Sequence, residues 1–257
     1  MDDIELLIDL HRDGRRQGPG SVTDTRRAAD LSRLHGKSGL QIADLGCGTG
    51  ASTIVLAQEL DATINAVDLF PDFLDQLTGR ARHEGVAHRI KTHACSMDAL
   101  PFAESSFDAI WSEGAIYNVG FANGIRMLRR FLKPGGVLAV SELTWLTDQR
   151  PQELDAHWAR EYPEVDTASA KLAILEQNGY VPLAYFALTK TSWLEHYYRP
   201  LQDRFAAFLS RHGHSEAAQA IVASERREIE LYERYADFVS YGYYIAQKLA
   251  ADPNYGK

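Results

Sequence analysis

From residue 40 to residue 143 the chain alternates short apolar runs with longer amphipathic segments, and the first run ends in a glycine-rich turn. LQIADLG (40–46) reads as a strand closed by glycine, and GASTIVLAQEL (50–60) as the helix after it. TINAVDLF is a second strand, and PDFLDQLTGRARHEG a helix opened by proline. RIKTHACSMD and FDAIWSEGA read as strands three and four. GIRMLRRFLKPGG is a helix stopped at Pro134, and GGVLAVSEL a fifth strand. Strands that alternate with helices pair in parallel through right-handed crossovers, which predicts an α/β, Rossmann-like doubly wound sheet.

Outside this block the pattern is helical. Ile4, Leu7 and Ile8 space an amphipathic helix over residues 2–12, and residues 24–35 suit another, capped by Thr23 or Asp24. GRRQGPGS (14–21) is a glycine-rich break between them, so residues 1–37 are expected to form a helical lid hinged on those glycines. Residues 148–178 look helical with a break near Pro163, GYVPLAYFALT (179–189) is a strand, and 192–237 is a long helical stretch. SYGYYIAQKLA (240–250) reads as the last strand because tyrosine and isoleucine favour strands.

The 257 residues suffice for one domain with an insertion, and a net charge of −8 argues against nucleic acid or an anionic membrane as partner. The N-terminus lacks the apolar core of a signal peptide, and no run reaches the ~18 apolar residues of a membrane span. Cys47 and Cys95 cannot build a metal or disulfide framework and read as small buried side chains. His212 and His214 have no carboxylate at ligand spacing, so no metal is expected. Together these features suit a cytoplasmic protein.

In an open parallel sheet, ligands sit beyond the carboxyl ends of the strands. IADLGCGTGA (42–51) ends strand one and fits the G-x-G-x-x-A pattern that brings backbone close to a pyrophosphate. Its glycines are Gly46, Gly48 and Gly50, with Asp44 just before them. Asp68 ends strand two, 18 residues after Gly50, where a carboxylate can accept both ribose hydroxyls of an adenosine. Asp98 ends strand three and can accept the exocyclic amine of adenine, with Leu69 and Met97 sandwiching the ring. A carboxylate at Asp44 opposes a pyrophosphate and favours a cationic amino-acid tail, which points to S-adenosylmethionine rather than a dinucleotide.

DLGCGTG (44–50), VDLF (67–70), CSMDALPFAESSFDAIWS (95–112) and LKPGGVLAVSE (132–142) resemble, in order and spacing, the motifs of class I S-adenosylmethionine-dependent methyltransferases, nearest their small-molecule, quinone-biosynthesis-like subgroup. The resemblance covers residues 38–143. It implies a seven-stranded sheet of order 3-2-1-4-5-7-6 with strand seven antiparallel, a methyltransferase domain at 38–257, and an insertion at 192–237 between strands six and seven. That insertion is expected to cover the site or to make a homodimer. It also implies Cys47 as a cofactor-binding position within its loop, and GPGS (18–21) with Gly18 and Gly20 as a second stretch at the cofactor.

The expected reaction moves a methyl group to an O, N or C atom of a small-molecule acceptor and leaves S-adenosylhomocysteine. Glu113, Tyr117 and Asn118 follow strand four, Glu142 and Trp145 follow strand five, and His11 can fold back from the N-terminal helix. Glu113, Tyr117 and His11 are candidates for catalysis, with Glu113 also able to hold the cofactor's ammonium. Tyr117, Asn118, Glu142 and Trp145 are candidates for holding the acceptor. A dinucleotide-dependent oxidoreductase and a non-catalytic S-adenosylmethionine-binding protein are the rival readings.

Overall fold

The computed structural model describes residues 3–250. Residues 1–2 and 251–257, the outer ends of the two expected domains, lie outside the described residues. Two helices, α1 (Asp3–His11) and α2 (Val22–Leu31), precede the sheet. Alternation then runs β1 (Leu40–Leu45), α3 (Ala51–Glu59), β2 (Ala62–Asp68), α4 (Pro71–His83), β3 (Ile90–Ala94), β4 (Phe107–Glu113), α5 (Phe121–Leu128) and β5 (Leu132–Trp145). The second half adds α6 (Gln152–Glu161), β6 (Asp166–Thr167), α7 (Ala168–Gln177) and β7 (Tyr180–Ala187). It closes with α8 (Lys190–Trp193), α9 (Arg199–Arg211), α10 (Glu216–Tyr235) and β8 (Val239–Lys248).

The sheet runs β3-β2-β1-β4-β5-β8-β7, with the two-residue β6 pairing off this path against the end of β5. Strands β1 to β5 are parallel, and β8 lies antiparallel between β5 and β7. With β6 set aside, this is the expected order, and β8 is the antiparallel seventh strand. Helices α5 and α7 cover one face through Ile125, Leu128 and Leu175. The other face packs Trp111, Ala139 and Tyr243 against α3, α4 and the α8–α10 cap, where Trp193 stacks on Tyr232 at 4.3 Å. Trp193 also meets Tyr241 of β8 edge-on at 5.0 Å, which ties the cap to the sheet.

Several boundaries differ from the sequence expectation. The cap of α2 is Ser21, whose hydroxyl accepts the amide of Asp24 at 3.1 Å, not Thr23 or Asp24. The helix after strand four ends at Leu128, and Pro134 lies inside β5, because Leu132 already pairs with Phe107 across a register shift. Strand three stops at Ala94, so Cys95 to Asp98 form a turn rather than strand. Within 148–178, β6 separates two helices.

Candidate active site

Beyond the carboxyl ends of β1, β2 and β4 lies a cleft of about 420 Å³. Gly46, Cys47, Gly48, Asp68, Leu69, Met97, Asp98, Glu113, Tyr117 and Asn118 line it, and so does Gly18 from the segment between α1 and α2. The structure therefore gathers eleven sequence candidates from five separate stretches of chain.

At Gly46 the backbone is left-handed, and a Cβ there would overlap the Cβ of Ala115. That is why the loop can pass so close beneath the turn after β4. Every amide from Gly46 to Gly50 is bonded within the protein. Gly46 and Cys47 donate to the Val67 carbonyl, and Gly48 donates to Asp68 Oδ2 at 2.8 Å. Thr49 donates to Gln17 Oε1 at 2.9 Å, and Gly50 to the Cys47 carbonyl. Asp68 Oδ1 also accepts from the Phe70 amide at 3.0 Å. Burial pushes the Asp68 carboxyl up, and those amides hold it back.

Six candidates stand elsewhere. Asp44 is fully buried beneath the loop, where its Oδ2 accepts from Ser52 at 2.7 Å and Thr53 at 2.6 Å. It anchors the start of α3 and does not line the cleft, so the expected opposition to a pyrophosphate does not come from a carboxylate facing the ligand. Burial raises its pKa to about 7. Gly50 opens α3 in the left-handed conformation, and a Cβ there would overlap Leu77 of α4, which makes it a packing glycine. Gly20 lies behind Arg16, where a Cβ would come 2.7 Å from Nη1. Trp145 is buried at the end of β5, paired with β6 on one side and β8 on the other, under the Arg150 guanidinium, 4.3 Å away. His11 stacks on Tyr197 in the cap, with Nε2 3.6 Å from Glu225.

Glu142 is 1% exposed, and its Oε1 accepts from the Leu143 amide at 2.6 Å while Oε2 has no partner. Burial raises its pKa to about 7 against the pull of Lys171. It sits behind the cleft wall and does not line the cleft. Cys47 is buried, and burial with the neighbouring Asp44 and Asp68 pushes its thiol well up, which leaves no thiolate nucleophile at neutral pH.

Glu113 is committed to structure. Its Oε1 accepts from Thr25 at 2.7 Å, Tyr243 at 3.0 Å and the Trp111 indole at 3.1 Å, and Oε2 pairs with Arg16 at 2.7 Å. Tyr117 lines the cleft at 46% exposure, and its ring meets Tyr162 edge-on at 6.1 Å. Burial and the Glu142 carboxylate push its phenol up.

The N-terminal segment supplies what sequence reasoning missed. Arg16 and Gln17 line the cleft, and Gln17 Nε2 donates to Thr49 Oγ1 at 3.1 Å. From α4, Arg80 donates to the Gly14 and Arg15 carbonyls and to Thr49. These bonds fasten a stretch that has no apolar anchor. The available signal was a pair of arginines between glycines facing a loop with no cation of its own.

Residues 42–136 match the family model for a methyltransferase domain. The fold is the Rossmann-like methyltransferase fold. Over 95% of this chain and 96% of the other, it is similar to an S-adenosylmethionine-dependent methyltransferase from Thiobacillus denitrificans solved with S-adenosyl-L-homocysteine, with a TM-score of 0.80 and 20% identity. In sequence it is 32% identical over 150 residues to methyltransferase GfsG of Streptomyces halstedii, covering 54% of each chain. It is 27% identical over 138 residues to the 27-O-demethylrifamycin SV methyltransferase of Amycolatopsis mediterranei, covering 53% of this chain and 50% of that one. The chain thus spans about half the length of these curated relatives. Among the described residues, no helix is long and apolar enough to cross a membrane, and no group of three or more His, Cys, Asp or Glu side chains could hold a metal ion.

Proposed function

We propose that this chain is an S-adenosylmethionine-dependent methyltransferase acting on a small-molecule acceptor. The observation that carries the reading is the set of five consecutive loop amides already bonded inside the protein, Gly46 to Gly50. A pyrophosphate needs such amides free, and its charge would also meet Asp68 and Glu113 along the cleft. An adenosine with a zwitterionic tail carries no net charge there and brings an ammonium that suits those carboxylates.

The lining fits that ligand. Asp68 would take the ribose hydroxyls, Leu69 and Met97 would flank the adenine, and Asp98, exposed at the turn after β3, would accept its amine. When bound, the cofactor supplies a sulfonium-activated methyl group and leaves as S-adenosylhomocysteine. Tyr117 and Asn118 stand at the opposite end, where an acceptor would enter. The raised Tyr117 phenol stays protonated at neutral pH, so it orients an acceptor by donating a hydrogen bond and does not remove its proton. The names of GfsG and the rifamycin methyltransferase support a small-molecule acceptor. A cytoplasmic setting and a helical lid at residues 1–37 belong to the same proposal.

Calorimetry with S-adenosylhomocysteine and with the nicotinamide dinucleotides tests the cofactor. The homocysteine product binds more tightly, and tighter binding of a dinucleotide overturns the reading. A small-molecule acceptor library, read out by S-adenosylhomocysteine release, tests the reaction.

A further inference from the structure

From Tyr117 a recess runs under the cap. Gly114 lines the cleft, and a Cβ there would come 2.7 Å from the Tyr241 ring, so Tyr241 stands directly behind that stretch of wall. Tyr241 meets Trp193 edge-on at 5.0 Å, Tyr197 packs on Tyr198 at 5.0 Å, and the Tyr198 hydroxyl donates to Glu228 Oε1 at 2.8 Å. His11 closes the far side, stacked on Tyr197 with its Nε2 3.6 Å from Glu225. Tyr117, Tyr241 and Glu228 each keep accessible surface, yet burial is the main cause that pushes their titrations up. Groups that are accessible but poorly solvated line a concave space rather than an open face.

The recess is acidic and ringed by tyrosines. Glu225 and Glu228 come from α10, and Tyr117, Tyr197 and Tyr241 all feel Glu228. From β5, Glu142 reaches the same rings: Tyr117, Tyr162 and Tyr241 feel its carboxyl, and its buried Oε2 makes no close hydrogen bond. The neighbouring cations are engaged elsewhere. Lys171 Nζ lies over the Phe121 ring at 4.3 Å and donates to the Glu164 carbonyl, and Arg204 donates to the Leu10 carbonyl. An anion entering here would meet the carboxyls of Glu142, Glu225 and Glu228, and a neutral molecule would leave them as costly to ionise as before. A cation relieves that cost, and tyrosine faces attract it. Resting on the methyltransferase reading, we infer that the acceptor extends from Tyr117 past Tyr241 into this recess and carries a protonated amine, which Glu228 receives directly and Glu142 attracts from behind the rings.

The test uses the full chain with saturating S-adenosylhomocysteine and probes of one shape, 2-phenylethylamine, 2-phenylethanol and phenylacetate. Calorimetry finds the amine tighter than the alcohol by about tenfold or more, with phenylacetate weakest, as expected for a charge-assisted pair in a partly dry site. In Glu228→Gln the preference for the amine falls to within about threefold, and Glu142→Gln reduces it by a smaller factor. Unchanged affinity for S-adenosylhomocysteine shows that each variant is folded. Were Glu228→Gln not to fold, the wild-type ratio and its reduction in Glu142→Gln decide. Equal binding of amine and alcohol by the wild type, tighter binding of phenylacetate, no binding of any probe, or a folded Glu228→Gln protein that keeps the full preference overturns the inference while leaving the cofactor reading intact. If the wild type does not bind S-adenosylhomocysteine, the methyltransferase reading fails and this acceptor assignment fails with it.

Discussion

The two ends of the cleft are built differently. Around the glycine loop, where the adenosine is proposed to sit, a single turn and the tips of β1 and β2 form the wall, mostly through backbone and residues within one stretch of about 30 positions. Around the proposed acceptor position, Tyr117 comes from the loop after β4, backed by Glu142 of β5, Tyr162 after α6 and Glu228 of α10. Few of those side chains bond one another, and Glu142 Oε2 and the Tyr162 hydroxyl make no close hydrogen bond, although each influences the other's titration. The first end is a rigid, self-satisfied cradle. The second is a set of polar groups brought together by distant elements and left with unused bonding capacity, the arrangement expected where specificity is set.

The comparison breaks most sharply at Gly46. A methyl group there has to enter a left-handed backbone and displace Ala115, so Gly46→Ala should lose about 2–4 kcal/mol of stability and S-adenosylhomocysteine binding together. Thermal unfolding with and without the ligand checks this, and an unchanged midpoint would mean the cradle is not rigid. At the other end the largest effect depends on pH. The folded chain holds a proton on Glu142 up to about 7, whereas an unfolded glutamate releases it near 4.5. Because the folded state then binds more protons, stability from this group is present below about 4.5 and is lost as pH rises through about 7. Glu142→Gln cannot ionise, so its stability should fall less across that window, by up to about 3 kcal/mol. Denaturant unfolding at the two ends of the window measures the difference, and parallel curves for both proteins would remove Glu142 from the account.

Smaller effects sharpen the contrast. Asp68 holds the Gly48 and Phe70 amides as well as facing the cleft, so Asp68→Ala should cost about 1–3 kcal/mol before any ligand is added, together with adenosine affinity. A loss of affinity alone would make it purely a ligand contact. Tyr117→Phe should leave stability and cofactor affinity nearly unchanged, since Tyr117 is 46% exposed. Turnover with an identified acceptor should fall by about tenfold, the value of one orienting hydrogen bond. A variant with full turnover would reduce Tyr117 to packing and return attention to Asn118.

The strand–helix alternation, the glycine turn and the acids at Asp68 and Asp98 were legible because they act through local backbone geometry, and their spacing along the chain is their spacing in space. The sheet order followed from the same regularity. Glu113 was legible as a strand-end acid, but its four donors come from Arg16, Thr25, Trp111 and Tyr243, and three of them are distant in sequence. Asp44 was misjudged for a similar reason, since direction of a side chain across a strand end depends on what α3 offers below it, here Ser52 and Thr53. His11 and Trp145 were placed by their position in the chain, and packing against Tyr197 of the cap and under Arg150 took them elsewhere. Sequence by itself determined the sheet and the glycine turn, because periodicity and glycine conformations are properties of neighbouring residues. Only tertiary structure decided that an N-terminal arginine and glutamine line the cleft, because polar contacts across the fold depend on distances that no local pattern encodes.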